Sequence, residues 1–138
     1  MSTIAVRYCT QTGHSKQIAE AIAQRLGVQA LDTAEGLKDR VDQLFICNGM
    51  YAGTLDKRLK DFLLSDAKNA QEVINVSSSA TGLSTRNKLA RLAQEGGYTL
   101  SEKEFRCKGA FHFLGKGHPD QDDLKAAADF AQLVARKD

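Results

Sequence analysis

The 138-residue chain has no tryptophan, one proline (Pro119) and only three cysteines, and each scarcity excludes something. Cys9, Cys47 and Cys107 are too few and too scattered for a disulfide framework, and none forms C-x-x-C. A reduced, cytoplasmic protein is the simplest reading. Neither a proline-rich nor a low-complexity linker divides the chain, so a single domain over residues 1–138 is expected. No apolar run reaches the roughly 18 residues of a membrane-spanning helix, so no membrane insertion is expected. Met1 leads straight into an apolar segment, without the basic flank and long apolar core of a secretion signal. An excess of one charge is also missing: 19 Lys and Arg face 17 Asp and Glu. Lys57, Arg58 and Lys60 are interleaved with Asp56 and Asp61. That is a solvated helix face rather than a stripe for nucleic acid.

What the chain does have is a hydrophobic period that switches repeatedly. Ile4 to Cys9 is a short β-type run, and the turn Thr10-Gln11-Thr12-Gly13 follows it. Ile18, Ile22 and Leu26, with Ala19 and Ala23, then repeat at helical spacing until Gly27 ends the helix. Val28 to Leu31 reads as a second strand, and Ala34 to Arg40 holds only a brief, Gly-interrupted helix. Leu44-Phe45-Ile46-Cys47 is apolar on both faces, the pattern of a strand covered on both sides. Leu55, Leu59 and Phe62 form the next helical face, Val73 to Val76 a fourth strand, and Leu89, Leu92 and Ala93 a helix closed by Gly96-Gly97. A fifth strand is expected over Glu104 to Phe113. The last helix opens at Pro119-Asp120, with Leu124, Ala128, Ala131 and Val134 inward and acids early in its first turn.

Strict strand–helix alternation demands a parallel sheet with right-handed crossovers, here a doubly wound α/β domain in three layers. Such sheets bind ligands at the carboxyl ends of their strands, near the reversal of strand order. Three loops lie there: 10–15, 48–54 and 77–83.

The loop Thr10-Gln11-Thr12-Gly13-His14-Ser15 puts three hydroxyls and a glycine where a strand meets a helix. A helix N-terminus offers unpaired N–H groups and about half a positive charge, which suits a phosphate. The plain alternative is that Thr and Ser merely cap the helix. Neither G-x-x-x-x-G-K-[ST] nor G-x-G-x-x-G occurs. A phosphatase loop needs a cysteine followed six positions later by arginine. Cys9 is suitably placed, but position 15 is serine and Lys16 cannot supply the bidentate grip, so Cys9 reads as an inert thiol. No two histidines or cysteines share metal-ligand spacing; His14, His112 and His118 read as solvent-facing or structural groups.

Thr10-x-Thr12-Gly13-x-Ser15, followed by Ile18-Ala19 and Ile22-Ala23, resembles the FMN-phosphate loop of the flavodoxins. Phe105-Arg106-Cys107-Lys108-Gly109, Gly115-Lys116-Gly117-His118-Pro119 and Asp123-Leu124 are similar to a group of small members of that family. The resemblance covers essentially the whole chain and is to the short-chain type. It implies a flavodoxin-like fold with a five-stranded parallel sheet in the order 2-1-3-4-5, FMN as cofactor, and loops after the third and fourth strands enclosing the flavin ring. On that basis the cofactor-binding residues are Thr10, Gln11, Thr12, Gly13, His14 and Ser15 for the phosphate. For the ring they are Asn48, Gly49, Met50, Tyr51, Ala52 and Gly53, with Ser77, Ser78, Ser79, Thr81 and Gly82 opposite. Tyr51 offers a flat stacking face. The fourth-strand loop has no aromatic and no acid, so one ring face is left open or covered only by Leu83 or Met50.

The implied role is electron transfer between protein redox partners, a reductase and an acceptor, by a monomer or weak dimer with no catalytic residues of its own. Family members are typically acidic around the flavin, and this chain is not. One charge at about 10 Å and an effective dielectric near 20 is worth roughly 1.7 kcal/mol, or about 70 mV. A higher flavin potential and an acidic or neutral partner follow. Two other classes stay open: an FMN oxidoreductase of the quinone-reductase or protoporphyrinogen-oxidase type, and a flavodoxin-like binding module without flavin.

Overall fold

The computed structural model describes residues 3–11, 13–49, 55–79, 84–108 and 119–135. Five strands are present: β1 (Ile4–Tyr8), β2 (Ala30–Asp32), β3 (Val41–Gly49), β4 (Ala70–Ser79) and β5 (Leu100–Lys108). Four α-helices accompany them among the described residues: α1 (His14–Leu26), α2 (Lys57–Ser65), α3 (Arg86–Gly96) and α4 (Gln121–Val134). The sheet order is β2-β1-β3-β4-β5 with every neighbouring pair parallel, which is the expected topology. The chain leaves β1 toward one edge and returns to β3 on its other side, so the reversal of order lies between β1 and β3.

Two cores flank the sheet. On one face Val6, Phe45, Cys47, Ile74 and Val76 pack against Ile18 and Ile22 of α1 and Ala127 and Ala131 of α4. On the other, Ala5, Leu44, Ile46 and Val73 meet Leu59, Phe62 and Leu63 of α2 and Leu89 of α3. The alternation along β3 sends successive side chains to opposite helix layers, and Leu44 to Cys47 are buried throughout. Asp120 caps α4 reciprocally with Asp123, each side chain accepting from the other's backbone N–H at 2.9 Å. Gly27 and Gly97 close α1 and α3. Gly96 allows α3 to touch α2 backbone to side: a Cβ there would stand 2.5 Å from the Leu63 carbonyl oxygen and 2.9 Å from the Tyr98 ring. No described helix is long and apolar enough to cross a membrane.

Several boundaries differ from the sequence reading. The helix expected over 34–40 is a single 3₁₀ turn, Thr33–Glu35, stopped at Gly36. Tertiary bonds claim the backbone beyond it: Leu37 N–H donates to Asp66 Oδ2 (2.7 Å) and Asn69 Nδ2 donates to the Leu37 carbonyl (2.6 Å). β5 starts at Leu100 rather than Glu104, because an edge strand tolerates the exposed Glu102 and Lys103. Its expected extension over 109–113 lies outside the described residues. β4 runs through Ser77, Ser78 and Ser79, where the sequence predicts a loop. Backbone pairing to Asn48, Gly49 and β5 holds them regardless of side-chain polarity.

Candidate functional site

The carboxyl edge of the sheet gathers the turn after β1, the ends of β3 and β4, and the N-termini of α1, α2 and α3. In the first turn, Gly13 N–H donates to Thr10 Oγ1 at 2.9 Å. Gly13 caps α1 at φ 91°, in the left-handed region that favours glycine, and no side chain caps the helix there. The first turn of α1 also carries no acid. A Cβ on Gly13 would meet nothing within 4 Å. Beside it, Ser15 is buried to 1% exposure, and its Oγ has no hydrogen-bond partner among the described residues. Buried polar atoms are almost always paired, so this hydroxyl at a helix start has a hydrogen bond left to give. Thr12 lies outside the described residues.

The turn is held from α2. Asp56, the N-cap of α2, accepts from Arg58 N–H at 2.9 Å, while its side chain pairs with the Arg58 guanidinium through Nε (3.0 Å) and Nη2 (2.8 Å). Arg58 Nη2 donates in addition to the Thr10 carbonyl (3.1 Å), and Gln11 Nε2 donates to Asp56 Oδ2 (3.1 Å). The hydrogen bond from Arg58 holds the Asp56 carboxyl well below the ordinary carboxylate range, and Asp56 in turn raises the Arg58 guanidinium. Both groups are therefore ionised at neutral pH. Burial lowers the pKa of His14, favouring the neutral imidazole. Burial, then the Asp56 charge, pushes the Cys9 thiol up, which agrees with its reading as an inert thiol. Burial also raises Cys47, and raises Cys107 to about 12.

At the ends of β3 and β4 a polar cluster is sealed inside the α2–α3 face. Asn48 Nδ2 donates to Asn75 Oδ1 (2.8 Å) and to the Ile46 carbonyl (3.0 Å). Thr85 Oγ1 donates to Asn48 Oδ1 (2.7 Å), and Asn75 Nδ2 donates to Thr85 Oγ1 (3.2 Å). All three side chains are essentially inaccessible. The side chain of Asn48 is thus occupied within the fold, and its backbone lies at the sheet edge. Ser77 sits opposite Asn48 in the ladder, fully buried, with an Oγ that is likewise without a partner. Gly49 pairs with Ser78 one step further.

Met50, Tyr51, Ala52 and Gly53, together with Thr81 and Gly82, lie outside the described residues, as do His112 and His118. The structure therefore brings together Thr10, Gln11, Gly13, His14 and Ser15 at one turn, and Asn48, Gly49, Ser77 and Ser78 at the neighbouring strand ends. Sequence reasoning missed Asp56, Arg58, Asn75 and Thr85. Asn75 had a signal: a lone amide in the apolar run Val73-Ile74-Asn75-Val76. Among the described residues, no group of three His, Cys, Asp or Glu side chains is placed to hold a metal.

The sequence matches no family model and no curated protein. Solved structures do match, over nearly the full length of both chains. A short-chain flavodoxin associated with a PDU bacterial microcompartment is 18% identical, with a TM-score of 0.68, covering 96% of this chain and 95% of that one. A flavodoxin from Streptococcus pneumoniae TIGR4 is 16% identical, with a TM-score of 0.64 and 94% coverage of each chain. A WrbA-like flavodoxin protein from Agrobacterium tumefaciens is 19% identical, with a TM-score of 0.58, covering 96% and 97%. Strand order, layer arrangement and these likenesses agree on one conclusion: the chain has the flavodoxin fold.

Proposed function

We propose that this chain is a single cytoplasmic FMN-binding domain that carries electrons between two protein partners, a reductase and an acceptor. The observation that carries the reading is the Ser15 hydroxyl, buried at the start of α1 with no partner among the described residues. The phosphate would be held by that hydroxyl, by the backbone N–H groups of the 10–15 turn and by the hydroxyls of Thr10 and Thr12. Thr10 Oγ1 accepts from Gly13 and keeps its own proton to donate. Tyr51 would stack on the ring, with Met50, Ala52 and Gly53 beside it. Gly49, the Ser77–Ser79 strand end, Thr81 and Gly82 would supply polar contacts to its edge. Ser77 brings the second unpaired buried hydroxyl to that edge.

FMN when bound supplies one- and two-electron redox chemistry; the chain binds it, orients it and sets its surrounding charge. Asp56, the acid joined to the turn through Gln11, is neutralised by Arg58. The sequence as a whole carries no acidic excess. An elevated flavin potential and docking to an acidic or neutral partner follow from that balance. The test is the visible spectrum and flavin-fluorescence titration of the purified protein with added FMN. Tight quenching and a perturbed yellow spectrum support the reading. A colourless protein that leaves FMN fluorescence unchanged removes it, and steady turnover of a quinone by the loaded protein replaces the carrier role with an enzymatic one.

A further inference from the structure

The strap from α2 to the first turn has a directional consequence. A trans peptide is planar, with its N–H opposite its C=O. Arg58 Nη2 holds the Thr10 carbonyl at 3.1 Å, and so directs the Gln11 N–H of that same peptide away from the guanidinium. A carbonyl swung into an anion-binding turn would repel the anion, and one held by the guanidinium is kept from swinging there. Asp56 keeps Arg58 in place through two side-chain bonds, and accepts from the Gln11 side chain at the same time. Asp56 is itself shielded, at 12% side-chain exposure, while Arg58 is 54% exposed.

We propose that Arg58, fixed by Asp56, is a positioning residue for the turn and makes this site discriminate a phosphorylated flavin from its unphosphorylated form. The proposal rests on the reading of the 10–15 turn as a phosphate site. Arg58 is half-exposed and lies outside both hydrophobic cores, so its substitution leaves the packed interior untouched. Arginine is required rather than a cation alone, because only the planar fork can grip Asp56 and reach the Thr10 carbonyl together.

The experiment compares the affinities of FMN and riboflavin for the wild type and for Arg58→Gln, Arg58→Lys and Asp56→Asn, by quenching of flavin fluorescence. Circular dichroism checks that each variant is folded. FMN binding is expected to weaken roughly ten-fold in Arg58→Gln and Asp56→Asn, while riboflavin binding stays unchanged. Arg58→Lys keeps the charge and is expected to lose FMN affinity as well. Equal losses for both flavins, no loss in the glutamine variant, or full retention by lysine would each overturn the proposal. A wild type that binds FMN no more tightly than riboflavin overturns the phosphate reading itself, a different failure visible before any variant is made.

Discussion

Replacing Ser15 by alanine tests the site through two effects of opposite sign. The Ser15 hydroxyl is buried at 1% exposure without a partner among the described residues. Leaving such a group unsatisfied costs about 1–3 kcal/mol. Alanine removes that cost and leaves a void of only one oxygen, so Ser15→Ala is expected to raise stability by about 1 kcal/mol. For a domain of this size that is roughly 3 °C in the midpoint of a thermal melt. FMN binding is expected to move the other way. A hydrogen bond to a charged phosphate oxygen is worth about 1.5–3 kcal/mol, so affinity should fall about 10- to 150-fold. A melt without flavin and a fluorescence titration with FMN measure the two numbers independently. Ser15→Asp, which sets like charges together, should abolish FMN binding altogether. A Ser15→Ala protein that melts lower than wild type and binds FMN unchanged would show that the hydroxyl serves the fold and that the anion sits elsewhere.

Tyr51→Ala is expected to weaken FMN binding by about 0.5–1.5 kcal/mol and to shift the flavin potentials; no change in either would remove Tyr51 from the ring. Thr85→Val takes away the 2.7 Å donor to Asn48 and the 3.2 Å acceptor of Asn75. Two stranded buried groups should cost at least about 2 kcal/mol in urea unfolding, and a loss below roughly 0.5 kcal/mol would mean that the asparagines re-pair. The Asp56 carboxyl is lowered in the folded state, so its stabilisation is present at neutral pH and is lost as pH falls below the ordinary carboxylate value through the lower folded one. Asp56→Asn should therefore flatten the acid limb of a plot of melting temperature against pH, and an unchanged limb would show the pair to be idle. A redox titration of the FMN-loaded protein should give a flavin couple above that of an acidic flavodoxin, by roughly 70 mV for each net charge missing at about 10 Å. A very low couple would contradict the charge argument.

Much of the architecture was legible because burial imposes a period. Ile18, Ile22 and Ala23 mark the inner face of α1, and the unbroken run Leu44 to Cys47 marks a strand covered on both sides. Less legible were features set by partners distant in sequence. The continuation of β4 through three serines depends on what lies beside it, since ladder bonds use backbone groups alone. For Asn48, expected among the ligand residues, only the register against β4 shows that its side-chain amide bonds Asn75 and Thr85, leaving its backbone at the sheet edge. Arg58 lies 48 positions from Thr10, joined to it by a crossover, and its neighbours on α2 read as ordinary surface charge. The 10–15 turn was readable from residue type as a candidate for a phosphate, because its small hydroxyls and glycine stand at a strand–helix junction.

Gly96 has a mechanical consequence for the site. Helices in a parallel sheet run back against the strands, so α2 and α3 begin at the ligand edge and finish at the opposite one. Their finishing ends meet closely, with the Gly96 backbone set against the Leu63 carbonyl. The layer behaves as two rods joined at the heel, with its pivot as far from the crevice as the fold allows. A methyl group at position 96 would force that joint apart, and Asp56 and Thr85 cap the other ends of the same two helices.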